Sequence, residues 1–233
     1  MSEDPAPEEA APPSDRVRVR RFAARARYER SEVLAILDGG LIAHVGVSTR
    51  DGPVVLPMAY GRDDEHLYLH GAVGNHLLRT GDGQEICVTV THLDGLVMAR
   101  TPFHNSMNYR SVVVRGSARR IVDGDRKLRA LRIITDHVVP NWDNTRLPSA
   151  SDLRSTLVLE LSLAEASAKV RVGDPVDEPE DLAGPWWAGV VPISTRFGPA
   201  VPSSDLTGNP EPPASIQALS GITPDDRVIG RDA

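Results

Sequence analysis

Cysteine is almost absent from this sequence, since its 233 residues include only Cys87. A single thiol cannot form a disulfide within the chain, so the sequence lacks the cross-linked framework of small secreted domains. Cys87 lies in the apolar run EICVTV, and we interpret it as a buried core residue. The sequence also has no GxSxG motif, and the lone cysteine has no recognisable His partner. Nothing therefore supports nucleophilic hydrolysis.

Long apolar runs are missing as well. Nowhere do about eighteen apolar residues follow one another, so we expect no transmembrane helix and no membrane partner. The first fifteen residues, MSEDPAPEEAAPPSD, are acidic and proline-rich and lack the apolar segment of a secretory signal peptide. We therefore expect a cytoplasmic location.

Positive charge is not in excess, because the formal net charge is −6 at pH 7. This balance argues against a protein whose whole surface binds nucleic acid. The stretch 16–30, RVRVRRFAARARYER, is strongly basic and resembles a nucleic-acid-binding arm at first sight. It has few interleaved aromatic residues, so we interpret it as a solvated or subunit-contacting surface and expect no nucleic-acid partner.

Aromatic residues make up only 4% of the chain, so the core must consist of Val, Leu, Ile and Ala. Residues of this kind favour strands. About seven strand-like segments are separated by tight turns, and only two substantial helices are predicted, near 27–37 and 123–138. We expect a mainly β fold with flanking helices, an antiparallel barrel of six to seven strands, because the βα rhythm of a doubly wound sheet is missing.

Composition divides the chain into three parts. We expect residues 1–15 to be a disordered acidic, Pro/Ala-rich tail, residues 16–195 to form one folded domain, and residues 196–233 to be a Pro/Ser/Gly-rich tail. Within the domain, the pattern predicts a strand pair over 85–100 with a turn at Leu93-Asp94-Gly95, and one long strand over 155–172.

The segment LYLHGAVGNHLLR ends a predicted strand at His70 and begins a short helix at Asn75. Gly71 and Gly74 loosen the turn, and the free amide groups at a helix start suit a phosphate. An ordinary strand-to-helix connection that needs glycine is an open alternative, because the segment is neither GxGxxG nor a Walker loop. His70 is our candidate catalytic proton donor. The histidines show no ligand set, so we expect no metal site.

The segment TPFHNSMNYRSVVVRG crowds polar side chains at the entrance of an apolar strand. Arg110 is the natural phosphate partner there, because its planar guanidinium matches two phosphate oxygens. A solvated loop with an ordinary surface arginine is the alternative. Trp186 and Trp187 open the last predicted strand, where they suit either stacking on a flavin ring or anchoring in a core or interface.

Together these segments resemble the pyridoxamine 5′-phosphate oxidase-like superfamily of FMN-binding split barrels, in particular its nitroimidazole reductase-like and flavin-nucleotide-binding branch. The resemblance runs from about residue 27 to residue 193. It is carried by ILDGGLIAHVGV, VLPMAYGRDDEHLYLHGAVGNHLLR, CVTVTHLDGLVMARTPFHNSMNYRSVVVRG, ASAKVR and WWAGVVP. It implies a split β-barrel that works as a homodimer, with FMN at the subunit interface.

The resemblance also implies which residues contact the cofactor. They form a strand along the isoalloxazine ring, a phosphate-binding turn, a strand entrance that reaches the flavin, and a C-terminal residue near the ring. In that order these residues are Pro57, Met58, Ala59 and Tyr60; His70, Gly71, Gly74, Asn75 and His76; Asn108, Arg110 and Ser111; and Trp187.

The sequence departs from pyridoxamine 5′-phosphate oxidase proper in two places. Asn75 and His76 stand where basic phosphate-binding residues are expected, and the C-terminal Arg-x-His substrate motif is absent around WWAGVVPIS. The implied function is therefore an FMN-dependent oxidoreductase of an unassigned small molecule. Alternatives on the same fold are a non-catalytic flavin-binding or heme-binding protein, with His70 or His104 as the axial heme ligand, and a deazaflavin-dependent reductase.

Overall fold

The computed structural model describes residues 10–208 and 210–227, and eleven strands lie within these ranges. The strands are β1 (Ala26–Arg27), β2 (Ala43–Thr49), β3 (Gly52–Met58), β4 (Tyr60–Arg62), β5 (His66–Ala72), β6 (Glu85–Met98), β7 (Ser106–Ser117), β8 (Arg119–Arg120), β9 (Thr156–Ser162), β10 (Ala166–Arg171) and β11 (Gly189–Pro192). Of the two predicted tails, residues 1–9, 209 and 228–233 lie outside the described residues.

Five α-helices accompany the strands in the described residues. They are α1 (Arg30–Gly39), α2 (His76–Gly81), α3 (Gly124–Val138), α4 (Ala150–Ser155) and α5 (Ala214–Gln217). The two helices predicted from the sequence correspond to α1 and α3. No helix in this part of the chain has the length and apolar content needed to cross a membrane.

Two sheets form the barrel. The larger has the strand order β1-β10-β7-β6-β2-β3, with β11 paired to the far end of β6. The smaller has the order β4-β5-β9-β8. Every strand pair in the described residues is antiparallel. The predicted mainly β fold, an antiparallel split barrel with flanking helices, is confirmed.

The segment 85–100, predicted as a strand pair, contains the single strand β6. This strand continues through Asp94 and pairs with β7 along almost its whole length, with one register shift between Leu93 and Gly95. The predicted turn is therefore wrong. The Asp-Gly dipeptide forms a bulge, because the ladder with β7 keeps the chain extended on both sides.

The single long strand predicted over 155–172 is also wrong. The chain turns at 163–165, so that β9 pairs with β5 in the smaller sheet and β10 pairs with β7 in the larger one. Apolar residues recur at every second position before and after the turn, and only a shift from odd to even positions marks the crossing between sheets.

Aliphatic side chains from both sheets, α1 and α2 fill the barrel. In β2, Ala43, Val45 and Val47 are buried and the residues between them are not, as the two-residue period of a strand requires. A smaller cluster around Ile134 packs α3 on the outer face of the smaller sheet. Gly61 permits this contact, since a Cβ there would lie 2.6 Å from the Cα of Ile134.

The described C-terminal residues return to the barrel. The amide of Gly221 donates to the carbonyl of Phe197 at 2.9 Å, and the amide of Phe197 donates to the carbonyl of Ile222 at 3.0 Å. A 3₁₀ turn over Pro224–Asp226 follows, and Arg227 after it is only 8% exposed. We call the segment from Gly221 to Arg227 the C-terminal strap.

Candidate functional site

The chain bends at Ala59, between β3 and β4, where it passes from the larger sheet to the smaller one. Tyr60 pairs with Leu69 of β5, and Ala59 and His70 are the chain neighbours of these two paired residues. Pro57 and Ala59 are exposed. The structure therefore brings the predicted ring-binding strand and the predicted catalytic histidine side by side.

Met58 and Tyr60 turn their side chains away from this surface. Met58 packs against the core, and Tyr60 is fully buried with its hydroxyl donating to the carbonyl of Leu37. Burial raises the pKa of Tyr60, so the phenol stays protonated. At these two positions a ligand on the outer surface would meet the backbone rather than the side chain.

The turn from Gly71 to His76 is open to solvent at its tip. Gly74 and His76 are exposed, and a Cβ added at Gly74 would meet no atom within 4 Å. Asn75 caps α2, because its side-chain oxygen accepts a hydrogen bond from the amide of Leu78 at 3.1 Å. The cap engages one amide of this six-residue helix and leaves the turn itself accessible.

His70 of β5 has one ring nitrogen without a hydrogen-bond partner among the described residues. Successive side chains of a strand point to opposite faces, and Leu69 points into the core, so the imidazole of His70 faces out of the barrel. His70 is half-buried. Burial lowers the pKa of His70, which keeps the ring neutral near pH 7. Its Nδ1 atom is buried and has no hydrogen-bond partner among the described residues. Such an atom is costly unless a group from outside the chain satisfies it.

A cavity of about 490 Å³, which we call the Arg110 cavity, adjoins Pro57. Its walls are the end of α1 and the start of β2, the middle of β6, Arg110 of β7, residues 193–195, and the C-terminal strap. Within the described residues, none of the positions from His70 to His76 lines this cavity. The structure thus places Arg110 and the predicted phosphate turn at two locations, and Pro57 lines the cavity that contains Arg110.

Two carboxylates hold Arg110. Its Nε and Nη2 atoms donate to Asp94 at 3.0 and 2.9 Å, and its Nη1 and Nη2 atoms donate to Asp225 of the strap at 3.0 and 2.9 Å. These hydrogen bonds, first those with Asp94, raise the pKa of Arg110. The hydrogen bond with Arg110 in turn lowers the pKa of Asp225. The predicted phosphate partner is therefore engaged by internal anions.

The other two predicted residues of β7 make internal contacts. Asn108 is buried, donates to the carbonyl of Gly173 at 3.2 Å and accepts a hydrogen bond from Arg171. The hydroxyl of Ser111 donates to the carbonyl of Lys169 at 3.3 Å in β10. These contacts join β7 to β10 and to the loop after β10, and neither residue lines the Arg110 cavity.

Trp187 lies just before β11 and is 66% exposed, with its ring against the backbone of Gly189. It does not line the Arg110 cavity, whose wall on this side consists of Ile193, Ser194 and Thr195. Trp186 is likewise 59% exposed. The tryptophan pair is thus available to a ligand or a partner, but not from within the cavity.

The apolar residues Ile216, Leu219 and Ile222 allowed a short docking segment in this tail, but sequence reasoning missed the contacts of Asp225 and Arg227 with the barrel. A signal was present in the sequence TPDD, because Thr223 and Asp226 form a capping box with proline at the first helical position. That pattern predicts a short helical turn at the end of a segment that otherwise has the composition of a tail. It does not predict which arginine the neighbouring Asp225 contacts.

The two sheets and the bend at Ala59 define a split barrel, the fold class predicted from the sequence. Comparison with known proteins then gives the family. A model described as pyridoxamine 5′-phosphate oxidase matches residues 29–170, more than half of the chain. The chain belongs to this family.

Solved structures include two full-length relatives. Flavocytochrome Anf3 from Azotobacter vinelandii is 39% identical, with a TM-score of 0.85 over 89% of this chain and 97% of that one. The FAD and heme binding protein from Mycobacterium smegmatis is 34% identical, with a TM-score of 0.80 over 84% of this chain and 98% of that one.

A more distant structure shares the fold alone. It is a proposed 5-nitroimidazole antibiotic resistance protein from Bacteroides thetaiotaomicron, 23% identical, with a TM-score of 0.52 over 62% of this chain and 86% of that one. The curated proteins include no match to the chain.

Proposed function

We propose that this protein binds a flavin nucleotide at the bend between β3 and β4 and acts as a flavin-dependent oxidoreductase of a small molecule. The observation that carries the proposal is the exposed backbone from Pro57 to Ala59 beside His70 and the open turn at Gly74. Such a surface offers backbone groups to a flat ring and open space to a phosphate. A bound flavin would supply hydride or single-electron transfer.

The identity of the flavin is part of the proposal. FMN is the cofactor that the sequence resemblance implies, and FAD is the alternative because the Mycobacterium smegmatis relative is named for FAD. Both carry a phosphate that the turn from Gly71 to His76 would receive. The predicted cytoplasmic location and the small-molecule substrate stay predictions.

We extend the proposal to a homodimer with the flavin at the subunit interface. β3 is the last strand of the larger sheet, and Val54, Val55 and Leu56 are 38%, 61% and 40% exposed. An apolar edge strand exposed on both faces is a hazard for aggregation unless something covers it. A second copy of the chain covering β3 would bury this strand beside the flavin.

Heme is a second candidate ligand, favoured by His70. The pKa of its imidazole is lowered by burial, and its Nδ1 atom has no partner among the described residues. A neutral imidazole is the form that binds heme iron. His104, the other axial ligand suggested by the sequence, ends the 3₁₀ turn Pro102–His104 between β6 and β7, with its Nε2 atom 4.0 Å from Glu178. His70 is therefore the axial ligand that we propose.

The flavin proposal is tested by releasing the cofactor from purified protein and identifying it by mass spectrometry, with FMN, FAD and a deazaflavin titrated side by side into cofactor-free protein. Gly74→Asp should weaken flavin binding by about tenfold or more, because it sets a carboxylate against the phosphate. Gly124→Asp is the matched control, since both positions offer open space for a side chain. Equal affinity of the two variants would contradict the site.

Heme is tested by titration followed through the Soret band. His70→Ala should abolish the band, whereas His66→Ala, on the same face of β5, should keep it. Loss of the band in His104→Ala instead would identify His104 as the axial ligand.

The dimer is tested by light scattering. Val55→Lys should give monomers, and Val122→Lys, at a position 84% exposed, should not.

A further inference from the structure

We propose that the Arg110 cavity binds a small molecule through an oxyanion group, a carboxylate or phosphate, and that this group takes the place of the Asp225 carboxylate on Arg110. The C-terminal strap thereby acts as a lid whose position depends on the ligand. The inference deepens the proposed function by naming the chemistry of the substrate, and it rests on that function only for the redox role of the ligand.

Asp225 occupies the position that an external oxyanion would take. Both of its carboxylate oxygens accept hydrogen bonds from Arg110, in the two-point arrangement by which guanidinium groups recognise carboxylates and phosphates. Asp94 lies 16 residues before Arg110 and in the adjacent strand β6, whereas Asp225 arrives from a segment 115 residues away. Asp94 is thus fixed by the sheet, and Asp225 is the removable partner.

The end of α1 is shaped to admit this carboxylate. A Cβ added at Gly39 would lie 2.0 Å from the Oδ1 atom of Asp225 and 3.0 Å from the Cε1 atom of His92. Only a residue without a side chain leaves room for the carboxylate and the imidazole together. The contact between the strap and Arg110 therefore belongs to a built site.

Arg227 is the second anchor of the strap. Its guanidinium donates to the carbonyls of Asp38 at 2.8 Å, Gly40 at 3.2 Å and Val138 at 2.9 Å, and also to the carbonyl of His137. These carbonyls lie at the C-terminal ends of α1 and α3, where helices leave acceptors unpaired and attract cations. Arg227 would keep the strap attached to the barrel while Asp225 leaves Arg110.

Charge balance favours an exchange of one anion for another. Arg110 carries one positive charge and contacts two carboxylates, and these side chains are a third exposed, so their pairing is only moderately strong. A ligand oxyanion that replaces Asp225 keeps the same hydrogen bonds on Arg110. Thr91, Ser194 and Thr195 line the same cavity and offer hydroxyl groups to the rest of the ligand.

The experiment measures the hydrogen exchange of the strap and the affinity for an oxyanion probe in parallel. Inorganic phosphate and acetate are titrated into the full-length protein at constant ionic strength maintained with chloride. Calorimetry gives the affinity, and hydrogen exchange followed by mass spectrometry reports on the amides of residues 221–227. We expect faster exchange of the strap on addition of phosphate or acetate and no change with chloride. The probe that binds more tightly, phosphate or acetate, indicates which oxyanion group the ligand carries.

Variants separate the specific contact of Asp225 with Arg110 from the effect of removing any one negative charge from the C-terminal segment. Asp225→Asn should bind the better probe about fivefold more tightly, the size expected when a partly exposed charge pair no longer competes. Asp205→Asn removes the same charge from an exposed position of the same C-terminal segment and should change nothing. Arg110→Gln should abolish both binding and the strap response.

The proposal is overturned if Arg110→Gln binds the probes as the unmodified protein does, or if the probes bind while strap exchange stays constant. Failure of all probes to bind Asp225→Asn would overturn it as well. Flavin titrations on the same variants keep the two proposals apart. If the protein binds no flavin but shows the oxyanion response, the proposed function is contradicted and the proposed lid stands.

Discussion

His137 should make the stability of the fold fall as the pH drops below neutrality. Its ring is 1% exposed, its Nε2–H group donates to the carbonyl of Gly40 at 2.9 Å, and its Nδ1 atom has no partner among the described residues. The ring lies 4.5 Å from that of Tyr60, and the cations Arg62 and Arg227 are close. A proton on Nδ1 would place a third cation in this buried cluster.

Burial, aided by the two arginines, lowers the pKa of His137 from 6.5 to about 4. The unfolded chain therefore takes up a proton on this residue near pH 6.5, whereas the folded chain does so only near pH 4. Because the unfolded state binds more protons in this window, the free energy of unfolding falls as the pH falls through it. At about 1.4 kcal/mol for each pH unit, the loss amounts to about 3 kcal/mol.

Urea unfolding at a series of pH values between about 7 and 4 measures this loss. His137→Gln keeps a donor for the carbonyl of Gly40 and cannot be protonated, so its stability should depend much less on pH in that window. His66→Gln, at a half-exposed position, is the matched control and should follow the unmodified protein. Equal pH slopes for His137→Gln and the unmodified protein would refute the reasoning. An NMR titration of the His137 ring checks its pKa directly.

Four further substitutions, one of them a control, test the packing and hydrogen bonds that position the site. Gly61→Ala should destabilise the fold by about 3 kcal/mol or more, since its Cβ would collide with the backbone of α3. Gly116→Ala is the control, because its Cβ would meet only the end of a leucine side chain at 3.1 Å, and it should cost less than about 1 kcal/mol in the same urea assay. Asn75→Ala should cost about 1 kcal/mol through loss of the α2 cap, and an unchanged unfolding midpoint would contradict that cap. Tyr60→Phe should cost about 1 kcal/mol, because it removes the hydroxyl hydrogen bond to the carbonyl of Leu37 and leaves only the amide of Gly40, at 3.3 Å, as its donor. A stability equal to that of the unmodified protein would contradict a contribution of the hydroxyl.

Local pattern predicted those elements whose periodicity and end signals agree with the tertiary fold. α3 is an example, because its apolar residues recur at helical spacing and Asp123 caps its start by accepting from the amide of Arg126. Pattern failed where neighbouring strands overrode a local signal. Asp94-Gly95 has the composition of a turn, yet its pairing with β7 keeps it inside β6.

The candidate site also contains one part that the local sequence indicated and one part that it did not. The bend around Ala59, His70 and the turn at Gly74 come from segments adjacent in sequence or paired within one hairpin, so a single stretch of sequence indicated them together. The contact between Arg110 and Asp225 joins residues 115 positions apart. Neither residue carries a local signal for the other, since each reads as an ordinary exposed charge until the chain is folded.

The sequence by itself determined the fold class, because strand period, glycine turns and helix caps are local properties that act before the chain is folded. The tertiary structure alone decided that β9 and β10 belong to different sheets, that β3 remains an exposed edge, and that the strap closes over Arg110. These features depend on which distant segments exclude water from one another and which charges then meet. Burial and charge pairing of that kind arise only in the folded chain.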